Sequence, residues 1–189
     1  MANKVSYSDA LARLEAGNKN FVSDKLDGKL QDSARRGDLT GSQHPFAIVL
    51  SCADSRVVPE LAFDTGLGEL FVIRVAGNIA NQSTIASIEY AVAHLNVKLI
   101  VVLGHESCGA VQAAIAGGDA GRNLNHLIAH IVPAVNGAED KTTNGIVKKN
   151  AELNAAELVN NSQIIRDAED LKIIPAYYNL GSGKVDFLA

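Results

Sequence analysis

The segment KLIVVLGHESCGAV, residues 98–111, joins a continuous apolar run to a histidine and a cysteine that are three residues apart. The run predicts a β-strand buried on both faces, as the strands of parallel sheets are. We expect this strand to end at His105 and a short helix to follow Cys108, ended by the glycines of GAVQAAIAGG. The segment therefore favours an α/β fold with chemically active side chains just beyond a strand.

Two more apolar runs precede this segment. PFAIVLSC (45–52) and ELFVIRVAG (69–77) predict further buried strands. Between the second and third runs, STIASIEYAVAHLN has apolar residues at helical spacing, with Ser83 as a candidate N-cap and Asn96 near its end. A strand, a helix and a strand in that order predict a right-handed parallel crossover.

The rest of the chain adds helices and an edge to this sheet. We expect helices in three more segments: 8–22, 122–135 as far as Pro133, and 146–170. The tail KIIPAYYNLGSGKVDFL predicts two short strands joined by a turn at Gly181–Gly183. Residues 1–189 are thus expected to form one α/β domain, with a mostly parallel central sheet, an antiparallel edge strand, flanking helices and an N-terminal helical arm.

Composition narrows the class of protein. No apolar run reaches the roughly 18–20 residues that span a bilayer, and the first residues lack the apolar core of a secretory signal, so we expect a cytoplasmic protein with no membrane partner. The net charge of −4 and the absence of a Lys/Arg cluster argue against nucleic-acid binding. With only two cysteines, a reducing compartment favours thiols kept for chemistry or for a metal.

Both cysteines lie where a ligand site is expected. Cys52 ends the first predicted strand and His105 ends the third, and ligands of such sheets bind beyond the carboxyl ends of the strands. If these strands are neighbours, Cys52, His105 and Cys108 meet at one edge. Two thiolates and one imidazole are a ligand set for Zn²⁺ that leaves a fourth position open, whereas a structural site normally closes with a further Cys or His. The remaining histidines have no obvious partner ligands: His44, His94, His126 and His130.

A charged pair follows the first cysteine. In CADSR, Asp54 and Arg56 stand two and four residues after Cys52. An arginine beside an aspartate keeps the carboxylate ionised, often through two parallel hydrogen bonds. Such a carboxylate can orient a zinc-bound hydroxide, or it can bind the metal and close the site. The competing interpretation of the pair is a capping aspartate in a surface ion pair.

SCADSRVVPEL (51–61) and GHESCGAV (104–111), with ELFVIRVAGNIA between them, resemble the β-class carbonic anhydrases. The resemblance extends over most of the chain. It implies a zinc lyase in which Cys52, His105 and Cys108 hold Zn²⁺ and the Asp54–Arg56 pair is catalytic, with Asp54 as a possible fourth ligand in a closed state. The implied reaction is the reversible hydration of carbon dioxide to bicarbonate and a proton by attack of zinc-bound hydroxide.

The resemblance also implies a homodimer or homotetramer in which residues 1–45 form a helical arm and loops that pack on a partner subunit. The substrate pocket would then form at the interface, from positions that match the family's pocket residues: Gln43, Phe71, Ala76, Tyr90 and Gly109. Local sequence alone explains Phe71, Ala76 and Tyr90 equally well as strand and helix core.

Two departures and two alternatives remain. Val49 stands where some members carry the tryptophan of a regulatory bicarbonate pocket, so we do not expect that pocket here. Glu106 is an unusual residue beside the histidine ligand, and its role is open. The first alternative function keeps this fold and metal but changes the substrate, so that the protein would hydrolyse carbonyl sulfide or carbon disulfide. A non-catalytic zinc or thiol protein would have no use for Asp54, Arg56 and Gln43.

Overall fold

A five-stranded sheet forms the centre of the protein. The computed structural model describes residues 5–188, so the first four residues of the predicted arm lie outside it. The sheet order is β2-β1-β3-β4-β5, and only β5 runs antiparallel to its neighbour. The strands are β1 (Ala47–Ser51), β2 (Leu70–Arg74), β3 (Leu99–His105), β4 (Lys172–Tyr178) and β5 (Val185–Phe187). The predicted fold class is confirmed, including the antiparallel edge.

Helices cover both faces of this sheet. Within residues 5–188 they are α1 (Tyr7–Val22), α2 (Ser33–Asp38), α3 (Pro59–Ala62), α4 (Gln82–Leu95), α5 (Gly109–Ala116), α6 (Arg122–Ala129), α7 (Val132–Gly137), α8 (Thr143–Asn161) and α9 (Gln163–Arg166), with a 3₁₀ turn at Ala76–Asn78. Because side chains alternate along a strand, Val49 and Val101 pack towards α1, whereas Ile48 and Ile100 pack towards α4 and α8. Burial on both faces explains the continuous apolar runs.

The first and third predicted strands are neighbours, as the site prediction required. β1 pairs with β3 in parallel, and Ser51 is aligned with Leu103. Cys52 therefore leaves β1 at the level where β3 runs on to His105. The chain passes from β2 through α4 to β3, across β1, so the predicted crossover joins two strands that flank a third.

Two predicted helices are wrong in extent. The helix expected over 122–135 is interrupted after Ala129, and Pro133 lies in the first turn of α7 instead of ending a helix. Proline is well tolerated there because the first N–H groups of a helix have no partner within it. The helix expected over 146–170 ends at Asn161, where Ser162 caps α9 by accepting a hydrogen bond from the Ile165 N–H.

One predicted cap is also wrong, and one turn is right. Asn81, not Ser83, caps α4, in a reciprocal arrangement with the Thr84 side chain. Asn96 does end that helix, in the left-handed conformation (φ 55°). The predicted C-terminal hairpin forms between β4 and β5. No helix within residues 5–188 is long and apolar enough to cross a bilayer.

Candidate metal centre

Three potential metal ligands converge at the carboxyl edge of the sheet. Cys52 follows β1, His105 is the last residue of β3, and Cys108 is the N-cap of α5. Their sulfur and nitrogen atoms all lie within 4.8 Å of one another. The three residues are buried, with relative exposures of 4%, 0% and 1%. Tetrahedral zinc with bonds of about 2.3 Å places its ligand atoms roughly 3.8 Å apart, so only small movements separate this group from a bound state.

The hydrogen bonding of His105 fits a metal ligand. Its Nδ1 lies 2.9 Å from the carbonyl oxygen of Glu106, which can only accept, so Nδ1 carries the proton. The other nitrogen, Nε2, is then an acceptor, and it is buried without a hydrogen-bond partner among the described residues. A buried acceptor is normally satisfied, and metal-binding histidines commonly donate their other N–H to a carbonyl. The donor set therefore suits a cation such as Zn²⁺.

The two thiols have opposite pKa shifts. The neighbouring Cys108 thiol, with a smaller contribution from the Gly77 N–H, lowers the pKa of Cys52 to about 4 despite burial. The pKa of Cys108 is raised, because it shares a proton with the Cys52 thiolate and because it is buried. The Cys52 thiol therefore loses its proton more readily than the Cys108 thiol. A divalent cation would displace the remaining proton.

Asp54 lies beside the ligands in a fixed orientation. The Arg56 side chain donates to it twice, from Nε to Oδ1 at 2.9 Å and from Nη2 to Oδ2 at 2.7 Å, and the Arg56 main-chain N–H adds a third bond at 2.9 Å. These bonds hold the pKa of Asp54 well below its usual range. Asp54 Oδ2 is 3.8 Å from His105 Nε2. With both oxygens engaged by Arg56, the carboxylate borders the group formed by Cys52, His105 and Cys108.

Arg74 is a site residue that the sequence analysis missed. It ends β2, and its guanidinium donates to the carbonyl oxygens of Cys52 (3.0 Å) and Asp54 (2.6 Å). These bonds hold the loop that carries both residues. The sequence signal that could have identified Arg74 is its position as the one charged residue, at the end of the apolar strand LFVIR.

Two buried asparagines of α8 were also missed. Asn150 donates from Nδ2 to the Gly77 carbonyl at 2.8 Å, and Asn154 accepts through Oδ1 from the Ala80 N–H at 2.6 Å. Their partners, Gly77 and Ala80, belong to the loop after β2, in which the Gly77 N–H points at the Cys52 sulfur, 3.4 Å away. Gly77 has φ +70°, and a Cβ there would lie 2.6 Å from an Ile131 methyl carbon. The asparagines thus position the N–H donor that faces the Cys52 sulfur.

The predicted substrate residues fall into two groups. Gly109 directly follows Cys108 at the exposed start of α5, and Ala76 lies beside Gly77, so both adjoin the ligand group. Gln43 is exposed in the loop before β1, whereas Cys52 follows the last residue of that strand, at its other end. These three positions are therefore not brought together within one chain.

Phe71 and Tyr90 contact each other instead of the ligands. Their ring centroids are 6.3 Å apart, on the α4 side of the sheet. Phe71 is aligned with Ile48, four residues before Cys52, which corresponds to about 13 Å along a strand. Tyr90 is 49% exposed. One chain alone does not place these rings at the metal group.

Comparison with known proteins gives a consistent result. The profile of a family described as "Carbonic anhydrase" matches residues 47–185, more than half of the chain. Carbonic anhydrase 2 of Mycobacterium tuberculosis is 44% identical over 126 residues, which cover 65% of this chain and 61% of that protein. The carbonic anhydrase of Pseudomonas aeruginosa is 36% identical over 173 residues, 79% of this chain and 76% of that one. The match thus spans about three fifths of the mycobacterial relative.

Solved structures agree with the fold. One of two tetrameric β-carbonic anhydrases from Sordaria macrospora superposes with a TM-score of 0.76 at 26% identity, covering 92% of this chain and 94% of that one. The Coccomyxa β-carbonic anhydrase in complex with acetazolamide gives a TM-score of 0.75 at 28% identity, covering 94% and 86%.

Proposed function

We propose, since the chain belongs to the β-class carbonic anhydrase family, that it catalyses the reversible hydration of carbon dioxide to bicarbonate and a proton. One observation carries the proposal. A buried, unpartnered imidazole nitrogen of His105 lies with two cysteine sulfurs beside a carboxylate that Arg56 keeps ionised. A purely structural zinc site would have no need of a carboxylate held beside an open position.

The proposed cofactor is Zn²⁺, held by Cys52, His105 and Cys108. Bound there, zinc would act as a Lewis acid that lowers the pKa of a water in its fourth position to near 7. The chain provides the conditions for this. The lowered pKa of Cys52 favours the thiolate that ligation needs, and His105 Nε2 has no hydrogen-bond partner among the described residues. Burial of all three ligands restricts competing solvent.

Asp54 and Arg56 are proposed as the catalytic pair. An ionised carboxylate is an acceptor only, so Asp54 would accept a hydrogen bond from water at the open position and direct its lone pair towards carbon. Arg56 keeps Asp54 ionised, and its bonds to both carboxylate oxygens favour this orientation over a closed state in which Asp54 is the fourth metal ligand. The exposed Gly109 N–H at the start of α5 is the proposed donor to a substrate oxygen.

The remaining pocket residues require a second copy of the chain. Gln43, Phe71 and Tyr90 lie away from the ligands of their own chain, so we propose that they line the pocket of a partner subunit in a homodimer or homotetramer. β2 supports this, because it is an edge strand with half-buried apolar residues and no neighbour on its outer side within residues 5–188. Residues 1–189 are proposed as one domain whose N-terminal part, 1–45, also packs on the partner. Since α1 buries Ala10 and Leu14 on its own sheet, the exposed side of this segment would make that contact.

We also propose a reducing, cytoplasmic setting. Both cysteines are free and buried, and their proposed role requires thiolates in place of a disulfide.

The test combines metal analysis with a stopped-flow assay of carbon dioxide hydration on the wild-type protein, Cys108→Ser and the exposed control Glu152→Gln. We expect one zinc per chain and rapid hydration in the wild type and the control, and loss of both in Cys108→Ser. Zinc-loaded protein without hydration activity would refute the proposal. Parallel assays with carbonyl sulfide and carbon disulfide would show whether the substrate is a sulfur analogue instead.

A further inference from the structure

The geometry points to Glu106 as a positioning residue that fixes the orientation and tautomer of His105. It does so by tying the connector, the two residues Glu106 and Ser107 between His105 and Cys108, to the turn between β4 and β5. The inference rests on the proposed zinc site. It assigns a role to a side chain for which the sequence offered none.

Glu106 is held at three points. Its Oε2 accepts hydrogen bonds from the N–H groups of Leu180 at 2.9 Å and Gly181 at 3.4 Å. Its own N–H donates to the Tyr178 carbonyl at 2.8 Å. Its carbonyl oxygen accepts from His105 Nδ1 at 2.9 Å. The side chain therefore fixes the peptide whose carbonyl sets the histidine tautomer.

The connector needs such support because it is strained. Only Glu106 and Ser107 separate His105 from Cys108, and Ser107 has a left-handed backbone with φ +53°. That conformation costs a non-glycine residue about 1 kcal/mol or more. A second contact holds it, since the Ser107 N–H donates to Asn144 Oδ1 at 3.1 Å. The turn after β4 and the start of α8 thus hold the connector from two sides.

The carboxylate has a specific advantage over a neutral side chain. One oxygen receives two main-chain donors, and hydrogen bonds to an ionised acceptor are about twice as strong as neutral ones. Glutamine would keep an acceptor without the charge, and alanine would leave two N–H groups without their partner. The effect on the zinc site should therefore be graded, glutamate being strongest and alanine weakest.

The experiment measures zinc affinity and release in the full-length wild-type protein, Glu106→Gln, Glu106→Ala and the exposed control Glu152→Gln. A chromophoric chelator in excess reports the release rate, and chelator competition reports affinity. Groups that orient a ligand typically contribute 10–100-fold to metal affinity, so we expect about that loss in Glu106→Ala, roughly 5–10-fold in Glu106→Gln, and none in the control. The visible spectrum of the cobalt-substituted protein should change in the same order, since it reports ligand geometry.

Zinc affinity and release within two-fold of the wild type in both Glu106 variants would overturn the inference. If Glu106→Ala does not fold, Glu106→Gln decides alone, and wild-type release from it would overturn the inference equally. A merely structural role would lower the melting temperature of the zinc-free protein while leaving zinc affinity unchanged. Wild-type protein that binds no zinc would instead refute the proposed function, so the two failures are distinguishable.

Discussion

Replacing Asn150 by alanine tests whether α8 supports the metal centre. Asn150 is 1% exposed. Its Nδ2 donates to the Gly77 carbonyl, and its Oδ1 accepts from Asn154 Nδ2 at 3.0 Å. Asn154 Nδ2 also donates to the Asn150 main-chain oxygen at 2.8 Å, a bond that alanine keeps. The substitution therefore leaves one buried group, the Gly77 carbonyl, without its donor.

The expected loss of stability follows from these contacts. A buried polar group that loses its partner costs about 1–3 kcal/mol, and the lost bond from Asn154 adds about 1 kcal/mol. Alanine returns roughly 0.5 kcal/mol through its higher helix propensity. The free energy of unfolding should fall by about 1.5–3.5 kcal/mol. Zinc release should become faster, because the Gly77 N–H loses its fixed position beside Cys52.

Urea unfolding at one fixed protein concentration measures this change, since the stability of an oligomer depends on concentration. The matched control is Asn160→Ala, which alters an exposed asparagine of the same helix and should shift stability by no more than about 0.5 kcal/mol. An Asn150→Ala midpoint equal to that of the control, with an unchanged slope, would refute the reasoning.

Three further changes give separate tests. Asp54→Asn removes the charge but keeps the size of the side chain. We expect kcat/KM for hydration to fall about 10²–10⁴-fold while zinc is retained. A variant with more than a tenth of wild-type activity would contradict the role given to the Asp54–Arg56 pair. Gly77→Ala places an alanine in the left-handed conformation against a neighbouring methyl carbon. We expect urea unfolding to show a free energy of unfolding lower by at least about 1–2 kcal/mol, and wild-type stability would disprove the close contact. Burial lowers the pKa of His130, so the unfolded chain takes up a proton first and the melting temperature falls as pH drops below about 6.5. His130→Gln should reduce this fall, and an unchanged pH dependence of the melting temperature would count against it.

The central sheet and the convergence of Cys52, His105 and Cys108 could be predicted because each depends on a local pattern. A strand buried on both faces is a continuous apolar run, and a parallel sheet brings strand ends to one edge. Cys52 and His105 each follow such a run directly. Their convergence needed only the neighbouring placement of β1 and β3, which the structure shows.

The groups that hold the ligand loops could not be predicted in this way. Asn150 and Gly77 are 73 residues apart, and an asparagine in a helix carries no mark of the carbonyl it meets. Arg74 likewise bonds to carbonyls at least 20 residues earlier. The helix breaks were nearer to prediction. Pro133 and Ser162 are both residues that favour the first turn or cap of a helix, and each marks where a new helix begins.

Tyr90 shows where structure decides between two explanations that the sequence left equal. A core residue would be enclosed by its own chain, yet Tyr90 is half exposed while it contacts Phe71 on an edge strand. Helical spacing explains why Ile88 and Val92 are buried, and it places Tyr90 on the outer side of α4. A half-exposed tyrosine on a partly buried phenylalanine, beside a strand edge with no neighbour within residues 5–188, is typical of a surface that another protein covers. The core explanation therefore fails for Tyr90, and the proposed partner subunit gives this surface a role at the neighbouring metal centre.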